Sequence, residues 1–151
     1  MSDPTAAPLA RYSAWVRRGD FIFLSGVIAV DPGAGRIIRG FGDLPDGIGP
    51  TIGQTGEFSV DAKDGPVLAQ SWYVFDRIRA TMEQAGGSMN DVFKLVQYFK
   101  NLNDFPRYNT VRRMFFPDTP PASTVVEVSA MMPSDDILIE VEATAWLPLK
   151  P

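Results

Sequence analysis

Residues 120–146 read PPASTVVEVSAMMPSDDILIEVEATAW, and this stretch decides the fold. Along 137–146, apolar residues alternate with mostly polar ones, which is the period-2 pattern of a strand that buries one face. Residues 125–130 form a shorter β-branched run, and the residues between the two runs favour a turn. The pattern predicts a two-stranded hairpin, with Glu140 and Glu142 on the same polar face of the second strand.

The composition predicts one ordinary globular domain. The chain has 151 residues, of which 45% are hydrophobic and 21% are charged, and its net charge is -4. A chain of this length can bury a substantial core as a single domain, residues 1–151. The acidic balance argues against nucleic-acid binding, and no apolar run is long enough to cross a bilayer. The first ten residues lack a targeting pattern, so a cytoplasmic location is expected.

The chain contains no Cys and no His. Their absence excludes a thiol nucleophile, a disulfide framework, a Ser-His-Asp triad and the usual zinc or iron ligand sets. No metal and no cofactor are therefore expected. An active site in this chain would use carboxylates, hydroxyls, Arg, Lys, backbone amides and water.

The N-terminal third predicts two strands followed by a segment of unassigned structure. Strands are expected at 12–17 and 20–30, and Gly26 interrupts the second of them, which indicates a bulge or a place where a ligand or another backbone comes close. Residues 36–65 are rich in Gly and read as a long insertion (about 37–65), with candidate short strands at 36–39 and 57–60. This insertion is either a functional lid or interface piece, or a solvated loop.

Two helices and a strand are expected next. Apolar residues at spacings of three and four predict a helix over 66–85, with Pro66 in its first turn. Residues 92–100 alternate as a strand, and Asn103 or Asp104 caps a second helix. The element order predicts an α+β domain with both helices packed on one face of a mixed sheet.

Three motifs together resemble the RidA/YjgF family, the reactive intermediate deaminases, also labelled endoribonuclease L-PSP-like. They are YSAWVRRGDFIFLSGVIAVDP at 12–32, AGGSMNDVFKLVQYFKNLNDFPRYNTVRRMFFP at 85–117, and PPASTVVEV at 120–128 with ILIEVEATA at 137–145. The resemblance implies a chorismate-mutase-like (YjgF-like) fold and a homotrimer. Its sheets would form a central barrel, with a small-molecule cleft at each subunit interface.

The resemblance also implies an anchor that this chain lacks. Family members active on 2-imino acids hold the substrate carboxylate with an Arg in a P-A-R motif, because a planar guanidinium binds a carboxylate through two hydrogen bonds. Here Ser123 stands at the Arg position, and Val125 stands where the family often has Cys. Ordinary 2-iminobutanoate deamination is therefore not expected unless Arg112, Arg113 or Arg39 reaches the cleft.

The other implied site residues are present. Glu140 matches the carboxylate that handles the hydrolytic water, Tyr12 the cleft tyrosine, Asn109 a polar residue of the second helix, and Ser25 with Gly26 the cleft-lining strand. Each has an alternative. Glu140 could belong to a solvated strand face, Tyr12 could be an ordinary strand residue, and Asn109 could bond the backbone.

Three functions are open to such a chain. The first is hydrolytic deamination of an imine, an enamine or a related metabolite, with Glu140 handling the water. The alternative is a catalytically inactive trimer that binds or senses a small metabolite. An RNase or translation inhibitor is the weakest of the three, since an acidic chain without a basic stripe is poorly suited to RNA.

Overall fold

The computed structural model describes residues 10–151, so residues 1–9, from which targeting was judged, lie outside it. The described chain contains eight strands and three α-helices, joined by short 3-10 turns. The strands are β1 Trp15–Arg18, β2 Phe21–Leu24, β3 Val27–Ile28, β4 Val30–Asp31, β5 Arg36–Ile37, β6 Val92–Phe99, β7 Ala122–Glu127 and β8 Ile139–Trp146, and the helices are α1 Ile48–Thr51, α2 Phe58–Gln84 and α3 Phe105–Phe115.

The main sheet is mixed, and β8 lies near its centre. Its order is β1-β2-β8-β6-β7, and β3 also pairs with β8, whereas β4 and β5 form a separate two-stranded sheet. All pairs are antiparallel except β6 with β7, which run parallel and are connected through α3. The alternation read along 137–146 is confirmed, since Ile139, Val141, Ala143 and Ala145 are all buried.

The predicted hairpin is wrong. Strands β7 and β8 are not neighbours, because β6 lies between them and pairs with both. A parallel connection from β6 through α3 places β7 on the side of β6 that β8 leaves free. The 128–138 connection therefore crosses the end of β6, where Val128 N–H donates to Phe99 and Lys100 N–H to Leu138.

The first long helix begins earlier than predicted. Helix α2 starts at Phe58 and not at residue 66, so Pro66 lies inside it rather than in its first turn. The start is fixed by Asp61, whose carboxylate accepts hydrogen bonds from the N–H groups of Thr55 and Gly56. These donors favour the charged form and lower the pKa of Asp61. The second helix begins, as predicted, directly after Asp104, and Tyr108 and Val111 on its predicted apolar side are buried.

Residues 37–65 are neither a solvated loop nor a lid over the pocket described below. Ile38, Leu44 and Ile52 are buried in the core. The buried side chain of Gln70 in α2 donates to the Ile38 carbonyl at 3.0 Å and to the Asp136 carbonyl at 2.7 Å. The segment is thus part of the packed domain. The short strand expected over 36–39 is present, whereas the one expected over 57–60 is the start of α2.

The two faces of the main sheet differ in what covers them. Helices α2 and α3 pack on one face, where Phe75 of α2 contacts the rings of Tyr108, Phe115 and Phe116. The opposite face, named here the open face, exposes apolar side chains that include Phe21, Phe23, Phe93 and Trp146. Among residues 10–151 no helix is long and apolar enough to cross a membrane.

Candidate functional site

A pocket of about 390 Å³ lies beside the start of β8. Four residues singled out in the sequence line it, namely Tyr12, Ser25, Gly26 and Glu140. The fold thus brings Tyr12 and Glu140 into one pocket of a single chain. The lining is mainly apolar, with few polar groups, as is usual for a small-molecule pocket.

A bulge in the edge of the sheet forms one wall of this pocket. Phe23 pairs with Thr144 and Val27 pairs with Val141, so three residues of the β2–β3 strand lie opposite two of β8. Ser25 and Gly26 occupy this bulge, which confirms the interruption expected at Gly26. The bulge places Gly26 beside the Glu140 side chain.

Gly26 and Glu140 approach each other closely. A Cβ atom added at Gly26 would lie 2.6 Å from Glu140 Oε2 and 2.9 Å from its Cδ. Only glycine therefore accommodates the carboxylate in its present position. The group that approaches Gly26 is the side chain of the candidate catalytic carboxylate, and not the ligand or backbone that the sequence offered as the alternative to a bulge.

The hydroxyl of Ser25 holds the segment that contains Tyr12. Ser25 Oγ donates to the Ser13 carbonyl at 2.6 Å, and the Ser25 N–H donates to the Ala14 carbonyl at 3.0 Å. Tyr12 lies just before β1 rather than in the predicted strand, so these two bonds attach its segment to the pocket wall. Ser25 thus positions Tyr12, while its own hydroxyl is already engaged.

Burial is the main cause of the altered acidity of Glu140. It raises the pKa of the Glu140 carboxyl, and the nearby negative charge of Glu142 raises it further. A carboxyl group with a raised pKa can exchange protons near neutral pH without a histidine.

The raised pKa predicts a pH-dependent stability difference for Glu140→Gln. The charged form is disfavoured by folding, so this group's contribution is most favourable below pH 4.5, its ordinary pKa, and is lost as the pH rises through the folded value. The variant should therefore gain stability relative to the wild type between pH 4 and pH 7, measured by urea unfolding. Asp61→Asn is the control: because the pKa of Asp61 is lowered from 3.8, its difference from the wild type should change only below pH 3.8, with the opposite sign, and should stay constant between pH 4 and pH 7. A constant difference between Glu140→Gln and wild type across this range would contradict the burial of the charge.

A second polar cluster surrounds position 123. The Arg112 guanidinium of α3 donates to Ser123 Oγ at 2.9 Å, to Gln97 Oε1 at 2.7 Å and to Asn109 Oδ1 at 2.8 Å. Its central carbon lies 5.4 Å from the ring centre of Phe105. Of the three arginines named as candidates to approach position 123, Arg112 is the one in contact with Ser123. Arg39 instead forms an ion pair with Asp136.

Gln97 connects this cluster to the core. The side chain is fully buried, and its Nε2 donates to Ser123 Oγ and to the Thr124 carbonyl. Its Oε1 accepts from the hydroxyl of Tyr108 as well as from Arg112. Burial raises the pKa of the Tyr108 hydroxyl, against the opposing effect of the Arg112 charge. Tyr108 therefore remains a donor at neutral pH.

The pocket and the cluster lie on opposite faces of the sheet. Glu140 alternates with the buried Ile139 and Val141, so it projects away from the helices. Gln97 contacts Tyr108 of α3 and therefore projects toward them. Ser123 and Val125 pair with Leu95 and Gln97 at the β7 edge. One chain thus brings together Tyr12, Ser25, Gly26 and Glu140, and separately Asn109 and Ser123, with Val125 beside Gln97.

Known proteins resemble this chain over most of its length. The family model described as Endoribonuclease L-PSP matches residues 47–147. RutC family protein PH0854 of Pyrococcus horikoshii is 35% identical over 92% of this chain and 89% of its own. The chain belongs to the RidA/YjgF family.

Two further members of the RidA/YjgF family are similar to this chain, one by sequence and one by solved structure. The 2-iminobutanoate/2-iminopropanoate deaminase of Escherichia coli K12 is 32% identical over 92% of this chain and 89% of its own. A solved structure of the Klebsiella pneumoniae protein KP1_3112 is 60% identical, with a TM-score of 0.88, and covers 91% of this chain and all of that chain. The α+β fold described above is the chorismate-mutase-like fold of the RidA/YjgF family.

Gln97 and part of the pocket lining were not predicted from the sequence. Gln97 lies between Leu95 and Phe99 on the inward face of an alternating strand, and a polar residue at such a position was a detectable signal. Ile28 and Pro133 also line the pocket, but their sequence context gave no indication of it. Among residues 10–151 no group of three or more His, Cys, Asp or Glu could hold a metal ion.

Proposed function

We propose that this RidA/YjgF protein catalyses the hydrolytic deamination of a small imine or enamine. The observation that supports this most is the Glu140 carboxylate, whose pKa is raised and which lies in a pocket beside Tyr12 and against Gly26. Family membership adds support, because one relative is named as a 2-iminobutanoate/2-iminopropanoate deaminase. Ser123 stands where family members active on 2-imino acids have the Arg that anchors the substrate carboxylate. The substrate of this protein is therefore held in a different way.

The chemistry requires one base that can also act as an acid. Glu140 accepts a proton from water as the water oxygen attacks the imine carbon, and the C=N double bond becomes a C–N single bond. The protonated carboxyl then returns its proton to nitrogen. In the resulting carbinolamine, Glu140 takes the hydroxyl proton and passes it to the amino nitrogen, so that the C–N bond breaks as C=O forms and ammonia leaves. Tyr12 lines the same pocket as Glu140, and its hydroxyl donates a hydrogen bond to the reacting centre. This reaction needs no cofactor.

The complete site is proposed to require two copies of the chain. Glu140 and Ser123 match positions of the same family cleft, yet in one chain they project from opposite faces of the sheet. A single ligand cannot contact both faces of one sheet. Two copies placed side by side can supply one group each, which fits the homotrimer with interfacial clefts that the family resemblance implies.

The open face offers the surface for this assembly. Phe21 contacts Phe23 and Phe93 at ring-centre distances of 6.2 Å and 6.0 Å, and all three side chains are more than 40% exposed in the single chain. An exposed aromatic cluster of this kind is typical of a protein interface. A second copy of the same chain is the proposed occupant, with the three sheets meeting around a common axis.

A charge on the open face should dissociate the trimer. We expect the wild type to sediment at three times its 16.6 kDa chain mass. Phe23→Glu should sediment as a monomer, because the carboxylate would be buried without a partner. Phe58→Glu is the matched control, since Phe58 is 88% exposed at the start of α2, away from the open face. A monomeric wild type, or a trimeric Phe23→Glu, would contradict the assembly.

The test of the activity is ammonia release from a panel of imines generated in situ by an amino acid oxidase. The wild type should accelerate release from at least one imine above the spontaneous rate. Absence of turnover with every imine, together with measurable ligand binding, would favour the alternative of a small-metabolite-binding trimer.

A further inference from the structure

We propose that Arg112 is the residue that binds the substrate's anionic group, in place of the Arg that position 123 lacks. This inference rests on the proposed function and identifies the residue that anchors its substrate. The guanidinium missing from position 123 is supplied instead by α3, whose Arg112 hydrogen-bonds the very Ser that replaced it. The anchoring guanidinium is therefore supplied by a different residue rather than lost.

The geometry leaves part of the guanidinium free to bind a ligand. A guanidinium has five N–H donors. Both donors of Arg112 Nη1 are directed at Gln97 and Ser123, and one donor of Nη2 is directed at Asn109. The Nε–H and the second Nη2 N–H have no acceptor among residues 10–151. Two donors on one planar group are what a carboxylate needs for a bidentate contact.

The charge of Arg112 is also uncompensated. Arg39, Arg79 and Arg107 each form an ion pair with an acidic side chain. Arg112 forms none within the described part of the chain, and its three acceptors are an amide of Gln97, an amide of Asn109 and a hydroxyl. A partly buried cation held only by neutral groups is ready to pair with an anion that arrives from solvent. Ser123 beside it is exposed, which leaves a path of approach.

Gln97 is the positioning residue for this anchor. It is fixed from the core side by the Tyr108 hydroxyl and from the β7 side by Ser123 and the Thr124 carbonyl. Its Oε1 therefore presents a fixed acceptor to Arg112. The rings of Phe105 and Tyr108 lie 5.4 Å and 5.7 Å from the guanidinium carbon and hold it from the helix side. An anchor restrained in this way loses little freedom when an anion binds.

The test measures binding without turnover, so that it can succeed or fail independently of catalysis. Isothermal titration calorimetry would compare 2-oxobutanoate, the product of 2-iminobutanoate hydrolysis, with neutral butan-2-one, each added to the full chain. The wild type should bind the carboxylate and not the ketone. Arg112→Ala should weaken the carboxylate affinity at least tenfold. Arg113→Ala, which changes an exposed neighbour on the same helix that forms no hydrogen bond or ion pair with residues 10–151, should leave it unchanged.

A second variant keeps Arg112 in place and guards against a folding defect. Ser123→Asp introduces a carboxylate at an exposed position next to the guanidinium, and it should abolish anion binding without loss of secondary structure. Ser123→Asn is its neutral control and should retain binding. The proposal is overturned if Arg112→Ala and Ser123→Asp bind 2-oxobutanoate as well as the wild type does, or if butan-2-one binds equally well. If 2-oxobutanoate binds to the wild type and the variants as expected but no imine is hydrolysed, only the proposed hydrolysis is refuted.

Discussion

Glu140→Gln is expected to lower kcat for imine hydrolysis by at least ~100-fold, because removal of a general acid–base group typically costs 10²- to 10⁴-fold. The amide has nearly the same shape as the carboxyl group, so the pocket formed with Tyr12 and Gly26 should persist. The variant cannot accept the proton of the attacking water or return it to the leaving nitrogen. Ammonia release from the best imine of the panel, measured at saturating substrate, gives the result.

The matched control for this prediction is Glu142→Gln. Glu142 lies on the same face of β8 but does not line the pocket, and it acts on Glu140 only by raising its pKa. The control should retain most of its kcat, and the rising limb of its pH–rate profile should move to lower pH. Equal losses of kcat in the two variants would contradict a specific role for Glu140.

Gly26→Ala is expected to lower kcat by roughly 10- to 100-fold, since a displacement of about 1 Å in a catalytic group can cost that much. The new Cβ would lie 2.6 Å from Glu140 Oε2, so the carboxylate must move. The end of a Glu side chain is flexible, and it can move without disturbing the sheet. The melting temperature should therefore change little while the activity falls.

The control for this second prediction is Gly42→Ala. A Cβ at Gly42 would meet nothing within 4 Å, and its backbone does not have a positive φ. Its activity and melting temperature should both match the wild type. Wild-type turnover by Gly26→Ala would show that the carboxylate does not act from its present position.

The sequence predicted the parts of the fold that depend on local pattern. Strand β8 and helix α3 were predicted correctly in type and nearly in extent, because alternation and a capped apolar stripe are local signals. The pairing of β7 with β8 was wrong, since the pattern of two strands does not reveal that β6 lies between them. The start of α2 was placed at Pro66, because Pro is typical of a first turn, whereas the Asp61 contacts with Thr55 and Gly56 place it earlier.

The site was predictable only as far as the family motif extends. Tyr12, Ser25, Gly26 and Glu140 were named from the sequence, and the structure places them in one pocket. The prediction that Ser123 stands at the position of the family's anchoring Arg came from the same motif. Arg112 was named only as one of three candidate replacements, because its contact with Ser123 joins a strand edge to a helix surface through the buried amide of Gln97. No local pattern encodes such a tertiary contact.

The central claim is that Glu140 of one copy and Arg112 of its neighbour form one site. Its most direct test is subunit complementation between Glu140→Gln and Arg112→Ala. Each variant alone should be nearly inactive, and the two should be unfolded together, refolded together, and checked for mixed trimers by native mass spectrometry. If Glu140 of one copy acts with Arg112 of its neighbour, each mixed ring of three contains one intact site and should recover about a third of the wild-type rate. Mixed trimers no more active than the parent variants would contradict a site shared between copies.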